Sequence, residues 1–298
     1  MMIYWIKAAR LRTLPLSLSG IFLGGLIAKY EGYWNVAIFT LACLTTILFQ
    51  ILSNFANDYG DGIKGTDNEE RIGPKRMIQS GVISQQEMKK AILFLASLSI
   101  ISAIYLIYLA FGKENLIYSF LFLGLGVASI TAAIKYTVGD TAYGYQGLGD
   151  VFVFVFFGLL AVLGTYFLFH HYFSKLLLLP ATAIGLLSTA VLNLNNMRDL
   201  NSDRNAGKNT LVVKMGFEKA KLYHIFLIST PFLLLTTYCF IIDRIDALGF
   251  LVFSIPMLIH LKKVMKITEP KNLDSELKKV ALITFFVSIL LGTSLNIL

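Results

Sequence analysis

Two short constellations of side chains hold most of the chemistry available to this sequence. Asn54, Asp58 and Asp61 fall at i, i+4 and i+7, and Asn195, Asp199 and Asp203 at i, i+4 and i+8. On a helix, either spacing sets three side chains on one face. Carboxylates this close repel and raise one another's pKa unless a cation lies between them. Hard oxygen donors suit Mg2+, which keeps several waters and favours sites shared with a substrate phosphate. Two such faces turned toward each other would hold a diphosphate between two Mg2+ ions. The Asn54 and Asn195 amides would serve as neutral donors.

Cations accompany both groups. Arg71, Lys75, Arg76, Arg198, Arg204, Lys208 and Lys214 each lie within one short loop of a carboxylate. Arg offers phosphate a bidentate fork and Lys a point charge. Lys89, Lys90, Lys219, Lys221 and the basic stretch 262–279 read instead as topology signals and contacts to anionic lipid. Gly60, Gly62, Gly65 and Gly73-Pro74 are expected to break the helix after Asp61 and leave a flexible loop. No G-x-x-x-x-G-K-[ST] phosphate loop occurs in the sequence. A third loop, Y-T-V-G-D-T-A-Y-G-Y-Q-G-L-G-D, offers Tyr136, Tyr143, Tyr145 and Asp150. Its aromatics suit stacking on a planar substrate or anchoring at a membrane interface. His170 and His171 read as exposed loop residues. Cys43 and Cys239 read as packed thiols, with no His or Cys close in sequence to form a metal site.

The elements that must position these groups are membrane spans. Of the 298 residues, 56% are hydrophobic and 15% charged, and the mean hydropathy is +0.69. Soluble domains carry about 25% charge. The apolar runs are continuous rather than alternating, which disfavours a β-barrel. The expectation is an all-α polytopic membrane bundle forming a single domain, 1–298. Its nine spans fall near 14–29, 35–57, 88–111, 116–134, 150–172, 176–197, 220–242, 247–264 and 279–297. Residues 1–12 are basic and amphipathic, and no small-residue cleavage site follows the first apolar run. The net charge of +8 is distributed by loop. Only Lys29, Lys113, Lys175 and Arg244, of 26 Lys and Arg, fall in one set of loops. That asymmetry puts the N-terminus and both acidic motifs on the cytoplasmic side of the membrane. It accounts for the basic surplus without nucleic acid.

At these residues the chain resembles the UbiA superfamily of intramembrane aromatic prenyltransferases. The resemblance rests on N-D-Y-G-D-G-I-K-G-T-D, R-I-G-P-K-R-M-I-Q-S-G, A-R-L-R-T-L at 9–14, Y-Q-G-L-G-D and N-N-M-R-D-L-N-S-D-R-N-A-G-K-N-T-L. Within the superfamily it is similar to the 1,4-dihydroxy-2-naphthoate polyprenyltransferases of menaquinone biosynthesis. The resemblance implies Mg2+-dependent transfer from polyprenyl diphosphate to 1,4-dihydroxy-2-naphthoate in the bacterial cytoplasmic (inner) membrane. Diphosphate and CO2 would be released and demethylmenaquinol formed. It also implies Asp58, Asp61 and Asp67 as one set of metal–diphosphate ligands and Asp199 and Asp203 as the other. Arg71, Arg76 and Lys208 would hold the diphosphate, with Arg198 beside them. Arg12, Lys135 and Tyr143 are candidates to bind the naphthoate. Two alternatives stay open: a relative that prenylates another acceptor such as 4-hydroxybenzoate, and a cation-coupled transporter, which would need carboxylates near the bilayer midplane.

Overall fold

The computed structural model describes residues 2–66 and 72–297. Among these residues, nine helices are long and apolar enough to cross a membrane: Met2–Tyr30, Val36–Lys64, Gln85–Phe111, Leu116–Lys135, Gly149–His170, Lys175–Arg198, Phe217–Ile241, Ile245–Lys266 and Pro270–Ile297. They match the nine expected segments and make this an integral membrane protein. The first span packs on the ninth, the second on the third, and the sixth lies between the fifth and the seventh. Local chemistry starts and stops the helices. Asn35 caps the second span, its Oδ1 accepting from the N–H groups of Ala37 and Ile38 at 2.9 and 3.2 Å. Ser84 and Glu87 form a reciprocal capping box at the start of the third.

Three details differ from expectation. The first span begins earlier, as a short helix Met2–Ala9 that turns at Arg10, φ 48°, before Leu14–Tyr30. The second does not break after Asp61. It runs to Lys64 and stops at Gly65, whose φ of 70° is left-handed. Gly60 and Gly62 serve close packing: a Cβ on Gly60 would lie 2.5 Å from Thr137 Oγ1, and one on Gly62 2.7 Å from Ile78 Cγ2. The helix therefore carries Asp58 and Asp61 rigidly against the following loops. Finally, His170 and His171 are half-buried. The His170 ring stacks on Tyr33 at 3.8 Å, and His171 Nε2 sits 3.0 Å from the Ala110 carbonyl. The fifth span holds a wide π-helical stretch, Phe154–Gly164, a distortion that often accompanies functional sites. Between the sixth and seventh spans, short helices Leu200–Asn205 and Leu211–Met215 fold the second acidic motif back onto the bundle.

Candidate active site

The three polar residues on the second span share a face but meet different partners. Asn54 is 3% exposed, and its amide is committed within the protein. Nδ2 donates to the Ala9 carbonyl at 2.8 Å and to Thr13 Oγ1 at 3.0 Å, while Oδ1 accepts from Gln50 Nε2 at 3.2 Å. It pins the turn at Arg10, so the expected substrate contact is replaced by a structural one. Asp58 is buried too, and its two oxygens accept from the N–H groups of Met77 and Ile78 at 3.0 and 3.2 Å. It caps the turn that brings the chain back to the bundle. Asp61 meets charged and aromatic partners. Arg76 Nη2 is 3.2 Å from its Oδ2, and the Tyr145 hydroxyl donates to its Oδ1 at 2.8 Å.

The second motif divides in a similar way. Arg198, 1% exposed, forks onto Asp199 through Nε at 2.9 Å and Nη2 at 2.6 Å. It also donates to Asp274 Oδ1 at 2.6 Å and Asn195 Oδ1 at 2.8 Å. Arg198 and Asn195, both expected to bind substrate, thus form a brace that holds Asp199 against the ninth span. Asp203 lies one helical turn on, its N–H donating to the Asp199 carbonyl at 2.8 Å. Lys208 Nζ stands 3.7 Å from Asp203 Oδ1. Burial pushes the Lys208 ammonium down, but Asp61 and Asp203, with Tyr136 and Tyr145, reverse this and hold it above the ordinary lysine range. Lys208 therefore joins the two acidic motifs.

The third loop completes the joint. The Tyr145 hydroxyl bonds both Asp61 and the Thr66 hydroxyl. Lys64 and Lys208 lie 4.0 and 5.4 Å from its ring centroid. Its backbone carbonyl accepts from Asn209 N–H at 3.1 Å. Burial pushes the Tyr136 phenol up to about 12 and raises Tyr143 and Tyr145 as well. All three remain proton donors at neutral pH. Tyr145 was among the aromatics the loop offered; its link to Asp61 depends on a contact between residues 84 apart in sequence, which spacing does not reveal.

Beside this cluster, inside the bundle, is a cavity of about 350 Å³. Phe49, Phe122, Phe156, Phe157 and Leu160 give it apolar walls, and Gln50, Ser53, Asn57, Tyr136 and Tyr143 supply polar groups. Tyr143, a candidate to bind the naphthoate, lines this cavity, stacks on Phe152 at 3.8 Å and donates to the Ala132 carbonyl at 2.8 Å. Asn57 is the residue the sequence reading passed over: it lies one turn before Asp61 and faces the cavity. Arg12 and Lys135 are exposed and take no part in its lining. Lys75 and Arg204 are exposed as well, and Lys214 donates to the Gln146 carbonyl at 2.7 Å. Asp67 and Arg71 lie outside the described residues.

Among the described residues, no three acidic, His or Cys side chains converge closely enough to cage a metal. The donors fit Mg2+ in another way. Asp61, Asp199 and Asp203 are hard oxygen ligands, 2–5% exposed and counterbalanced by Arg and Lys. That suits an ion which arrives with a substrate phosphate and takes only one or two carboxylates from the protein. The charged cluster and the apolar cavity meet at Tyr136, which lines the cavity and lies within electrostatic reach of Lys208, Asp61 and Asp203.

Residues 17–290 match the UbiA prenyltransferase family. The chain is 44% identical over 301 residues to 1,4-dihydroxy-2-naphthoate octaprenyltransferase of Haemophilus influenzae, covering 98% of this chain and 96% of that one. It is 50% identical over 220 residues to the Escherichia coli protein of the same name, covering 74% and 71%. A UbiA homolog from Aeropyrum pernix K1 superposes with a TM-score of 0.66 at 15% identity, over 95% of this chain and 97% of that one. A UbiA homolog from Archaeoglobus fulgidus bound to DMAPP and Mg2+ gives 0.63 at 15% identity, over 97% and 99%. The chain belongs to the UbiA prenyltransferase family and is a prenyltransferase of that type.

Proposed function

We propose that the enzyme transfers a polyprenyl group from polyprenyl diphosphate to 1,4-dihydroxy-2-naphthoate, giving demethylmenaquinol, diphosphate and CO2. The observation that carries the reading is the junction of the Asp61–Arg76–Tyr145–Lys208–Asp203 cluster with the aromatic-lined cavity. The identity to the two bacterial octaprenyltransferases supplies the acceptor class. Asp61 on one side and Asp199 and Asp203 on the other would hold Mg2+, which when bound stabilises charge developing on the leaving diphosphate. Arg76 and Lys208 add positive charge at the same place. As the C–O bond to diphosphate breaks, the aromatic walls shelter the allylic cation from water. The electron-rich ring carbon bearing the carboxylate forms the new C–C bond, and the carboxylate leaves as CO2. No Ser or Cys nucleophile is required. Tyr143, Tyr136, Gln50 and Asn57 offer the polar contacts for the acceptor, in place of Arg12 and Lys135.

The same reading places the whole chain, 1–298, in one domain of the cytoplasmic (inner) membrane, with the acidic mouth facing the cytoplasm. The Lys and Arg asymmetry of the loops supports that orientation. Carboxylates gathered at helix ends rather than mid-span speak against a transporter. The test is to incubate membranes containing the enzyme with a prenyl diphosphate and each acceptor in turn. Prenylated product is expected from 1,4-dihydroxy-2-naphthoate, with loss of label from a 14C-carboxylate. Product from 4-hydroxybenzoate alone would overturn the assignment.

A further inference from the structure

Away from the cavity, four helices are threaded by a buried polar chain that the proposed reaction does not use. Asn193, on the sixth span, has its Nδ2 3.1 Å from the Ala220 carbonyl and 3.3 Å from His224 Nδ1. His224 Nε2 is 2.8 Å from His260 Nε2. His260 Nδ1 is 2.8 Å from Glu276 Oε2, and Lys263 and Lys279 each donate to Glu276 Oε1 at 2.7 Å. Asn193, His224 and Glu276 are 0% exposed and His260 2%.

The partners fix the direction of this chain. The Ala220 carbonyl only accepts, so the Asn193 atom facing it is Nδ2, His224 carries its proton on Nε2 and donates it to His260 Nε2, and His260 Nδ1–H donates to Glu276. His224 Nδ1 then accepts from Asn193. The Asn193 amide must therefore point its nitrogen at both partners, and among the described residues its Oδ1 has no hydrogen-bond partner. A buried oxygen left in that state costs free energy. Apolar side chains would join four helices without that cost, but they would tolerate sliding. A polar chain with one satisfactory pairing does not.

The two ends of the chain point to what is being held in register. Glu276 lies two residues beyond Asp274, at the start of the helix Asp274–Ile297. Asp274 takes the Arg198 guanidinium, and Arg198 forks onto Asp199. The ninth span therefore meets the sixth twice, once through Asp274–Arg198–Asp199 and once through Glu276–His260–His224–Asn193. We propose that Asn193, His224, His260 and Glu276 are positioning residues: they set the ninth helix so that Asp274 shares the Arg198 guanidinium with Asp199, and Asp199 keeps the geometry for metal-bound diphosphate. This rests on the role given to Asp199 above.

The test uses the purified full chain and a non-ionising S-thiolo analogue of geranyl diphosphate. The Mg2+ midpoint for binding the analogue is read alongside thermal unfolding. Glu276→Gln keeps size and an acceptor for His260 while removing the charge. It and Asp274→Asn are each expected to raise the Mg2+ midpoint about 10- to 150-fold, the effect of one hydrogen bond to a charged group. The Mg2+ midpoint of the double variant should be no worse than that of the more severe single, because both act through one helix. His224→Asn, which retains the Asn193 contact and cuts the link to His260, should show the same rise if Glu276→Gln does not fold. A folded Glu276→Gln with the wild-type midpoint would overturn the proposal, as would effects that multiply in the double variant. A wild-type protein that binds the analogue without Mg2+ would overturn the metal reading itself, and this one with it.

Discussion

Replacing Asp58 and Asp61 separately by Asn divides structure from chemistry three residues apart on one helix. Asp58→Asn keeps one carbonyl oxygen for the turn at Met77 and Ile78, now accepted at 3.0 and 3.2 Å by two. The other N–H would then face an NH2 group. One backbone donor goes unpaired in a buried setting, a cost of about 1–3 kcal/mol. Unfolding should shift down by that amount, while the folded fraction keeps turnover within about tenfold of wild type. Asp61→Asn strikes the chemistry. It removes an anionic oxygen where leaving-group charge must be met and leaves Arg76, 3.2 Å away, without its carboxylate. Lost transition-state stabilisation of this kind costs about 3–4 kcal/mol, or roughly 10²–10³ in rate. Stability should fall as well, because removing one partner of a buried pair leaves the Arg76 charge uncompensated, so the rate is compared on the folded fraction. The assay is initial rate of prenyl transfer against Mg2+ concentration, with thermal unfolding on the same preparations. A stable Asp58→Asn variant that has lost about 100-fold in rate would refute the reasoning. So would an Asp61→Asn variant working within about threefold of wild type.

Two further outcomes follow from the loop that joins the motifs. Tyr145→Phe removes the hydroxyl that binds Asp61 and Thr66 and should slow turnover about 10- to 150-fold, the value of a hydrogen bond to a charged group; an unchanged kcat would deny Tyr145 that role. Stability should be flat from pH 7 to 9 and fall in alkali. Tyr136, pushed up to about 12, contributes stability that is fully present below its unfolded value near 10 and is lost as pH rises through 12. Tyr136→Phe should lessen the alkaline fall seen in circular dichroism, and an identical fall in that variant would exclude this phenol as its source.

The spans and their number were legible because apolar length is a bulk property: about 20 residues are needed to cross, and the sequence supplies nine such runs. The charged end of the bundle was legible for the same reason, since dense Asp, Glu, Lys and Arg cannot sit in lipid without partners. What pairs with what was not legible. Arg198 reads as a phosphate ligand by type and position, yet Asp274, 76 residues on, claims it. Gly60 and Gly62 read as breakers by propensity, yet Thr137 and Ile78 press so close that a Cβ there has no room. Both outcomes are decided by contacts distant in sequence, which neither spacing nor propensity contains.

The first motif shows most sharply where pattern reading stops. Residues at i, i+4 and i+7 share a helix face, but that face rises about 10 Å over seven residues. Three side chains along such a stripe reach three different heights. Asn54 meets the turn at Arg10, Asp58 meets the returning backbone at Met77, and Asp61 meets Arg76 and Tyr145. Sharing a face was necessary for a joint site and insufficient for one. What singles out Asp61 is its neighbours: it shares Tyr145 with Lys208 and, through Lys208, is linked to Asp203. By the same argument Asn57, one turn below Asp61 and lining the cavity, is better placed than Asn54 to touch what binds there. Asn57→Ala should therefore weaken substrate use more than stability, and Asn54→Ala stability more than substrate use, as KM and unfolding measured on the pair would show.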